Sequence, residues 1–538
     1  MTCIRTRSRR APRTAVTAMA VAGALVAGGC SSDGTPGRSE PRSAGPSGAP
    51  ARAAGSGLPP LPAHLARQRL DWGDCTAQDA GPAGFTLRPD ADCTWLTVPV
   101  DYAAPAGSTL RIRVARVRAR DAERRLGALV FNPGGPGEPG AALVADGAFE
   151  ATPDVAARYD LVAFDPRGIG RSAPLHCPEG NGSDLIPRTA QQADAEFRAA
   201  AAQGQDCRRV TGALLGHMDS VSVARDMDLL RAALDEQRLN YLGVSYGTFI
   251  GQHYARLFPD HVGRFVLDSV VDPAADQTAV ARGDMKALDA SFASYARTCA
   301  ANACPLGRTA DEIIARTTQF VRALDAAPLP GPDGSRLTTG IAAQGIRGPL
   351  YQAEKWPDLT LALADAMAGR PGALIGLAAE QIPAAGVRRP GAPPVDVPAD
   401  DPTMPRNAVD CLDRPGPRSA SQLLSYVGEF DKASPLFGAT VAAAMFHCAA
   451  WPIAPTGRAE PVTAPGAPAV VLVSFAVDPA TPLDNAKAVQ KNLGGSVLVV
   501  REGTGHAAYG GGSECTDRAV DGFLVDGRLP PVRVDCAP

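Results

Sequence analysis

Short apolar runs near 94–102, 111–118, 127–132, 160–165, 239–243, 263–268, 469–477 and 496–500 punctuate the chain, and apolar residues recur at helical spacing between several of them. One such helical stretch is Ser220 to Leu234, with Asp219 placed to cap it. Strands alternating with helices predict an α/β fold: a mostly parallel sheet flanked by helices. The alternation stops between about Pro273 and Pro465. Helical patterns such as Asp311 to Leu324 and Leu359 to Ala368 dominate there, broken by Pro/Gly-rich loops at 328–334 and 389–405. This region falls between the sixth and seventh predicted strands and reads as a largely helical cap inserted before the last strands.

Candidate chemistry sits at the strand ends. Gly243-Val244-Ser245-Tyr246-Gly247 follows the apolar run Leu239 to Leu242 and opens a helical pattern, Thr248 to Leu257. A serine between glycines at a strand-to-helix turn has the form of a nucleophile elbow, in which the hydroxyl stands exposed above the sheet edge. Such a serine needs a histidine base and an orienting acid, in the chain order Ser, Asp or Glu, His. Of the seven histidines, His64, His176 and His217 precede Ser245, His253 and His261 belong to the following helix and its end, and His447 lies in the cap. His506 remains, on the glycine-rich loop Gly503-Thr504-Gly505-His506 after the run Ser496 to Val500.

Asp478 ends the apolar run Ala469 to Val477, where open parallel sheets place their chemistry, and lies between Ser245 and His506 in the chain. Asp268 and Asp272 are rivals one strand earlier, and Asp484 reads as a helix-start acid. For an oxyanion, the amide of Tyr246 is the expected first donor. The loop Asn132-Pro133-Gly134-Gly135-Pro136-Gly137 after Leu129-Val130-Phe131 is the expected source of the second, with Gly135 favoured.

These stretches, with Thr97 to Tyr102, Phe164-Asp165-Pro166-Arg167-Gly168-Ile169-Gly170-Arg171-Ser172, Ala224 to Asp228, Asp478 to Pro482 and Gly505-His506, resemble the tripeptidyl-aminopeptidase-like secreted serine hydrolases. That family is related to prolyl aminopeptidase within the α/β-hydrolase superfamily. The likeness runs from about Cys75 to Cys536 and extends to Asn407 to Asp413 and Cys448 to Pro452; Ser269 stands where relatives often carry glycine. The resemblance implies an α/β-hydrolase fold, the triad Ser245, Asp478 and His506, and release of short N-terminal peptides, tripeptides above all, through an acyl-enzyme. A substrate with a free N-terminus then needs an acid to hold its ammonium group, and Glu354, Asp410, Asp413, Glu429 and Asp431 are candidates. A carboxylesterase or lipase can use the same triad, because fold does not fix substrate. A catalytically silent binding lipoprotein is the third reading.

Composition narrows the setting. With 53 Lys+Arg against 56 Asp+Glu and no basic block, the chain lacks the footprint of a nucleic-acid binder. Arg5, Arg7, Arg9, Arg10 and Arg13 precede the apolar run Ala15 to Val26, the order of a secretory signal. Ala27-Gly28-Gly29-Cys30 resembles a lipobox, with Cys30 as the lipidation site, although alanine replaces the usual leucine. Loss of residues 1–29 removes five arginines and no acid, so a net charge of −3 becomes −8. Ser31 to about Pro60 reads as a flexible tether, spanning on the order of 30 Å as a coil. The expected place is the outer face of the cytoplasmic membrane, or free secretion.

Setting aside Cys3 and Cys30 leaves ten of twelve cysteines, which fall in sequence-local pairs: 75/93, 177/207, 299/304, 411/448 and 515/536. Five disulfides suit an oxidising compartment, while connectivity stays open from sequence. No Cys/His spacing suggests zinc, and neither a metal nor a cofactor is expected. Oligomeric state is not readable. The expected organisation is a signal at 1–29, the lipobox cysteine and linker at 30–60, hydrolase core at 61–272, cap at 273–465 and core again at 466–538.

Overall fold

The computed structural model describes residues 58–80, 86–178, 186–380 and 403–537. The signal, Cys30, most of the tether and the greater part of the 389–405 loop lie outside them. Twelve strands occur among the described residues: β1 (Gly73–Asp74), β2 (Ala91–Pro99), β3 (Thr109–Val117), β4 (Gly127–Asn132), β5 (Tyr159–Phe164), β6 (Leu239–Val244), β7 (Val262–Asp268), β8 (Leu329–Pro330), β9 (Arg336–Leu337), β10 (Val471–Val477), β11 (Val497–Thr504) and β12 (Arg533–Cys536). Ten form one sheet in the order β1-β2-β3-β5-β4-β6-β7-β10-β11-β12. Pairing is antiparallel from β1 to β5 and parallel from there to β12.

Parallel strands such as β4, β5, β10 and β11 carry runs of consecutive apolar residues because both faces are covered. Tyr241, Phe265, Leu267, Leu472 and Val500 point into one hydrophobic layer, which includes Met227, Phe249 and Tyr254 of the flanking helices. Their neighbours Leu242, Val266, Val471, Val473 and Val499 point into the other, with Val144, Val155, Val520 and Leu524. This is the period-two alternation of a strand with a core on each side. The helix Ser220–Ala233 starts where expected, with the Asp219 carboxylate accepting the Ser222 N–H at 2.9 Å.

Between β7 and β10 the chain is largely helical, from Gln277–Ala301 to Phe446–Ala449, with the small β8–β9 hairpin between. This insertion has hydrophobic clusters of its own, one around Phe292, Leu359 and Leu374, another around Leu423, Phe430 and Phe446. The helix Ala190–Thr211, which lies between β5 and β6 in sequence, places Ala193 in the second cluster. A boundary drawn along the chain at 272 therefore misses part of the layer. The five cysteine pairs bond as their spacing suggested.

The Phe164 to Ser172 stretch is structural. Arg167, fully buried, binds the Asp226 carboxylate at 2.8 and 2.6 Å and donates to the carbonyls of Pro99, Val100 and His217. Tyr102 donates its hydroxyl to Asp226 at 2.7 Å. A buried charge persists only when paired and hydrogen-bonded, which is why these motif residues occur together.

Candidate active site

Ser245 sits between β6 and the helix Tyr246–Leu257 with φ 55 and ψ −122, a left-handed conformation costly for a non-glycine residue. Glycines permit it. A Cβ on Gly247 would lie 2.5 Å from the Asn132 carbonyl, and one on Gly134 would lie 2.6 Å from the Tyr246 nitrogen. The Asn132 to Gly137 loop is thus pressed against the turn after Ser245. The Ser245 N–H donates to the Asp268 carbonyl at 2.8 Å, and Thr248 ties the elbow to the end of β7 by accepting the Val271 N–H at 2.9 Å. Tyr246 opens the helix, so its amide is among the first-turn N–H groups that a helix leaves unpaired and that favour negative charge. Gly134 spends its N–H on the Asn132 side chain at 3.0 Å, so the second donor expected from this loop is not Gly134.

Asp478 follows β10 and is 2 % exposed. Both of its oxygens lie 2.9 Å from Nδ1 of His506. A register shift between Phe475 and Val477 bends the strand just before it. The carboxylate also accepts the N–H groups of Ala480 and Thr481 at 2.9 Å and the Thr481 hydroxyl at 3.0 Å. Burial raises the Asp478 pKa, but the His506 charge and these hydrogen bonds outweigh it, so the carboxyl lies below its ordinary value. Burial lowers the His506 pKa; Asp478 and Asp268 together outweigh that and Arg347, and the imidazole lies above its ordinary value. Carboxylate and ring nitrogen face each other as an acid that orients a base requires.

The rival acids have other partners. Asp268 holds main-chain amides of Ala508 and Tyr509, Asp272 accepts the Ala274 N–H, and Asp484 pairs with Lys487 in the first turn of its helix. The other histidines differ in kind. Burial pushes His253 down to about 3, and His261 binds Asp228 at 2.7 Å.

The cap reaches this site through Tyr351, whose carbonyl accepts the His506 N–H at 3.1 Å and whose ring meets the imidazole edge-on at 5.0 Å. Arg347 donates to the Tyr351 hydroxyl at 3.2 Å. Of the candidate cap acids, Glu354 and Glu429 are exposed, and Asp431 pairs with Arg188 and Arg322. Asp413 is buried against the Ser220 amide and hydroxyl and the Tyr246 hydroxyl, and burial lifts it to about 7. Asp410 binds Arg414 at 3.1 Å and faces Arg406 at 3.8 Å. Two carboxylates escaped the sequence reading. Burial lifts Asp284, on the helix Gln277–Ala301, to about 6 against the fields of Arg347, Arg406 and Arg414. Burial also raises Glu138, opposed by Arg406. Glu138 directly follows the glycine loop, a signal available in the sequence; Asp284 and Tyr351 carry none. Among the described residues, no group of three His, Cys, Asp or Glu side chains converges as a metal site.

Known proteins resemble this chain over most of its length. A family profile described as TAP-like protein matches residues 434–536. The serine protease Hip1 of Mycobacterium tuberculosis is 33 % identical over 87 % of this chain and 91 % of its own length. The tripeptidyl aminopeptidase of Streptomyces lividans is 32 % identical over 88 % of each chain. A Mycobacterium tuberculosis protein named carboxylesterase B is 33 % identical over 90 % of this chain and 93 % of its own length. With this fold and these relatives, the chain belongs to the tripeptidyl-aminopeptidase-like serine hydrolases of the α/β-hydrolase superfamily.

Proposed function

We propose that the protein is an exported serine exopeptidase that removes short N-terminal peptides, tripeptides above all, from peptide substrates. Ser245 attacks the scissile carbonyl while His506 takes its proton; Asp478 holds the imidazole and stabilises its charged form. The amides of Tyr246 and Gly135 stabilise the oxyanion, each donor contributing about 2.7–4 kcal/mol by comparison with measured sites. His506 then protonates the leaving amine as the C–N bond breaks; water, losing its proton to His506, attacks the Ser245 ester, the bond to Oγ breaks, and the short peptide leaves as a carboxylate with the serine hydroxyl restored. The observation that carries this reading is the contact of both Asp478 oxygens with Nδ1 of His506 at 2.9 Å, made after β10 and β11, the second and third strands from the β6 that leads into Ser245. No cofactor enters any step.

Substrate class rests on the cap. Asp284 and Asp410 lie within the fields of the same arginines, Arg406 and Arg414, and their helices belong to the insertion that contacts His506. We assign Asp284 the substrate ammonium, since Asp410 is already paired with Arg414 at 3.1 Å. Likeness to a tripeptidyl aminopeptidase supports the peptidase reading; likeness to a protein named carboxylesterase B favours an esterase as the second. Measuring kcat/KM for one tripeptidyl amide with free and acetylated N-termini separates them. The peptidase reading expects the free amine to win by about 2–5 kcal/mol, the usual cost of unpairing a buried charge contact. Equal values, or faster turnover of short acyl esters than of any peptide, would move the assignment to the esterase.

For location, the Arg-rich start, apolar run and Cys30 support export and a lipid anchor at the outer face of the cytoplasmic membrane, and five disulfides suit that compartment. Mass spectrometry of the mature N-terminus tests this. A diacylglyceryl Cys30 is expected, and an unmodified Cys30 with cleavage elsewhere would make the protein freely secreted.

A further inference from the structure

A second buried carboxylate stands at the site without a part in the proton relay. Asp268 ends β7 and is 1 % exposed. Its carbonyl accepts the Ser245 N–H at 2.8 Å. Its Oδ1 accepts the Ala508 N–H at 3.1 Å and its Oδ2 the Tyr509 N–H at 2.8 Å. The next residue, Ser269, accepts the Ala507 N–H on its hydroxyl at 2.9 Å, while its own N–H donates to Val473 of β10 at 2.9 Å. Two consecutive residues thus take up the three consecutive amides that follow His506.

The backbone conformation sharpens the point. Ser269 has φ 57 and Ala507 φ 64, both in the left-handed region that costs a non-glycine residue about 1–3 kcal/mol. Glycine would adopt the Ser269 conformation freely. What serine adds there is the hydroxyl, and the hydroxyl goes to the histidine loop. Asp268 likewise acts on this loop, since the nearby charges that bear on it are His506 and Asp478.

We propose that Asp268 and Ser269 are positioning residues for His506, a clamp that hangs the histidine loop and the Ser245 amide from one strand end. The inference rests on the Ser245–Asp478–His506 reading. Base and nucleophile then share an anchor, so a displacement of one is limited relative to the other; misplacement by about 1 Å costs as much as 10²-fold in rate. The clamp also bears on the imidazole electrostatically. His506 faces Asp478, Asp268 and, from the cap, Arg347; the first two hold its pKa up and the third lowers it.

The test compares Asp268→Asn, Ser269→Ala, Ser269→Gly and His506→Ala in the full mature protein, following kcat, KM, Tm and the pH dependence of kcat/KM. Asp268→Asn turns one acceptor into a donor facing an N–H. It should lower kcat about 10²-fold, leave KM nearly unchanged, and move the acid limb to lower pH because a charge that favours the imidazolium is gone. Ser269→Ala removes one hydrogen bond and should lower kcat about fivefold. Ser269→Gly should lose the same turnover while keeping its Tm, since the strain disappears with the hydroxyl. Wild-type kcat and pH profile in folded Asp268→Asn, or a kcat loss that tracks Tm with the acid limb unmoved, would overturn the clamp. Should Asp268→Asn not fold, Ser269→Gly decides: lost turnover at unchanged Tm supports the clamp, and wild-type kcat overturns it. His506→Ala separates the levels, because full activity there would sink the triad reading itself.

Discussion

Asp268 and Asp478 end neighbouring parallel strands, and both are almost wholly buried. Burial raises the pKa of each, yet the net shifts run in opposite directions, upward for Asp268 and downward for Asp478. Partners explain the difference. Asp268 has two neutral amides for its carboxylate and a second carboxylate nearby. Asp478 has two amides, a hydroxyl and the imidazole itself. At equal depth, a charged ring at hydrogen-bond distance decides in which direction the carboxyl pKa moves. The same fold position can therefore supply either a charge for the reaction or a fixture for the main chain.

The largest effect that bears on this contrast is Asp478→Asn, which should lower kcat about 10⁴-fold with little change in KM. A near-normal Asp478→Asn beside a Asp268→Asn that lost about 10⁴-fold would exchange the two roles. In the wild type, His506 carries a raised pKa, so its free-base form appears only above the ordinary imidazole value. The acid limb of kcat/KM should lie there, and Asp478→Asn should move whatever activity remains toward lower pH. A wild-type limb at or below the ordinary value would contradict the ion pair.

A third carboxylate extends the comparison into the cap. Asp284 stands near 6, so it is ionised above that pH and neutral below it. Preference for a free N-terminus should shrink as pH falls through about 6, and Asp284→Asn should remove that acid-side loss. Constant discrimination from about pH 5 to 7, below the titration of the substrate amine, would remove Asp284 from the amine. Glu429 is the contrasting case, an exposed acid paired with Arg282. Glu429→Gln should leave kcat/KM for free and acetylated substrates unchanged, since exposed pairs contribute little.

The fold was readable from sequence where strands are buried on both faces. All eight apolar runs became strands, because consecutive apolar residues serve both layers of the core. β1, β8, β9 and β12 were not foreseen; they have two to four residues and carry Gly, Pro, Asp and Arg, so periodicity has nothing to register. The helix Ala190–Thr211 joins the cap cluster by contacts that chain order hides. At the site, the meeting of Asp478 and His506 was readable because each follows an apolar run at the same end of a parallel sheet. Asp284, Tyr351 and the work of Asp268 and Ser269 were not, since each depends on which amide or ring tertiary packing brings near. Ser269 did register as a departure from glycine, and its hydroxyl turns out to hold the loop of His506.

Everything proposed for the reaction depends on Ser245 being the nucleophile of this serine hydrolase. That role is tested most directly by reacting the purified protein with a fluorophosphonate and mapping the adduct by peptide mass spectrometry, with Ser245→Ala alongside. One adduct is expected, on Ser245, and an alanine variant that folds with the wild-type Tm but neither labels nor hydrolyses. Labelling of Ser245→Ala at the wild-type rate, or an adduct on another residue with activity intact, would contradict it.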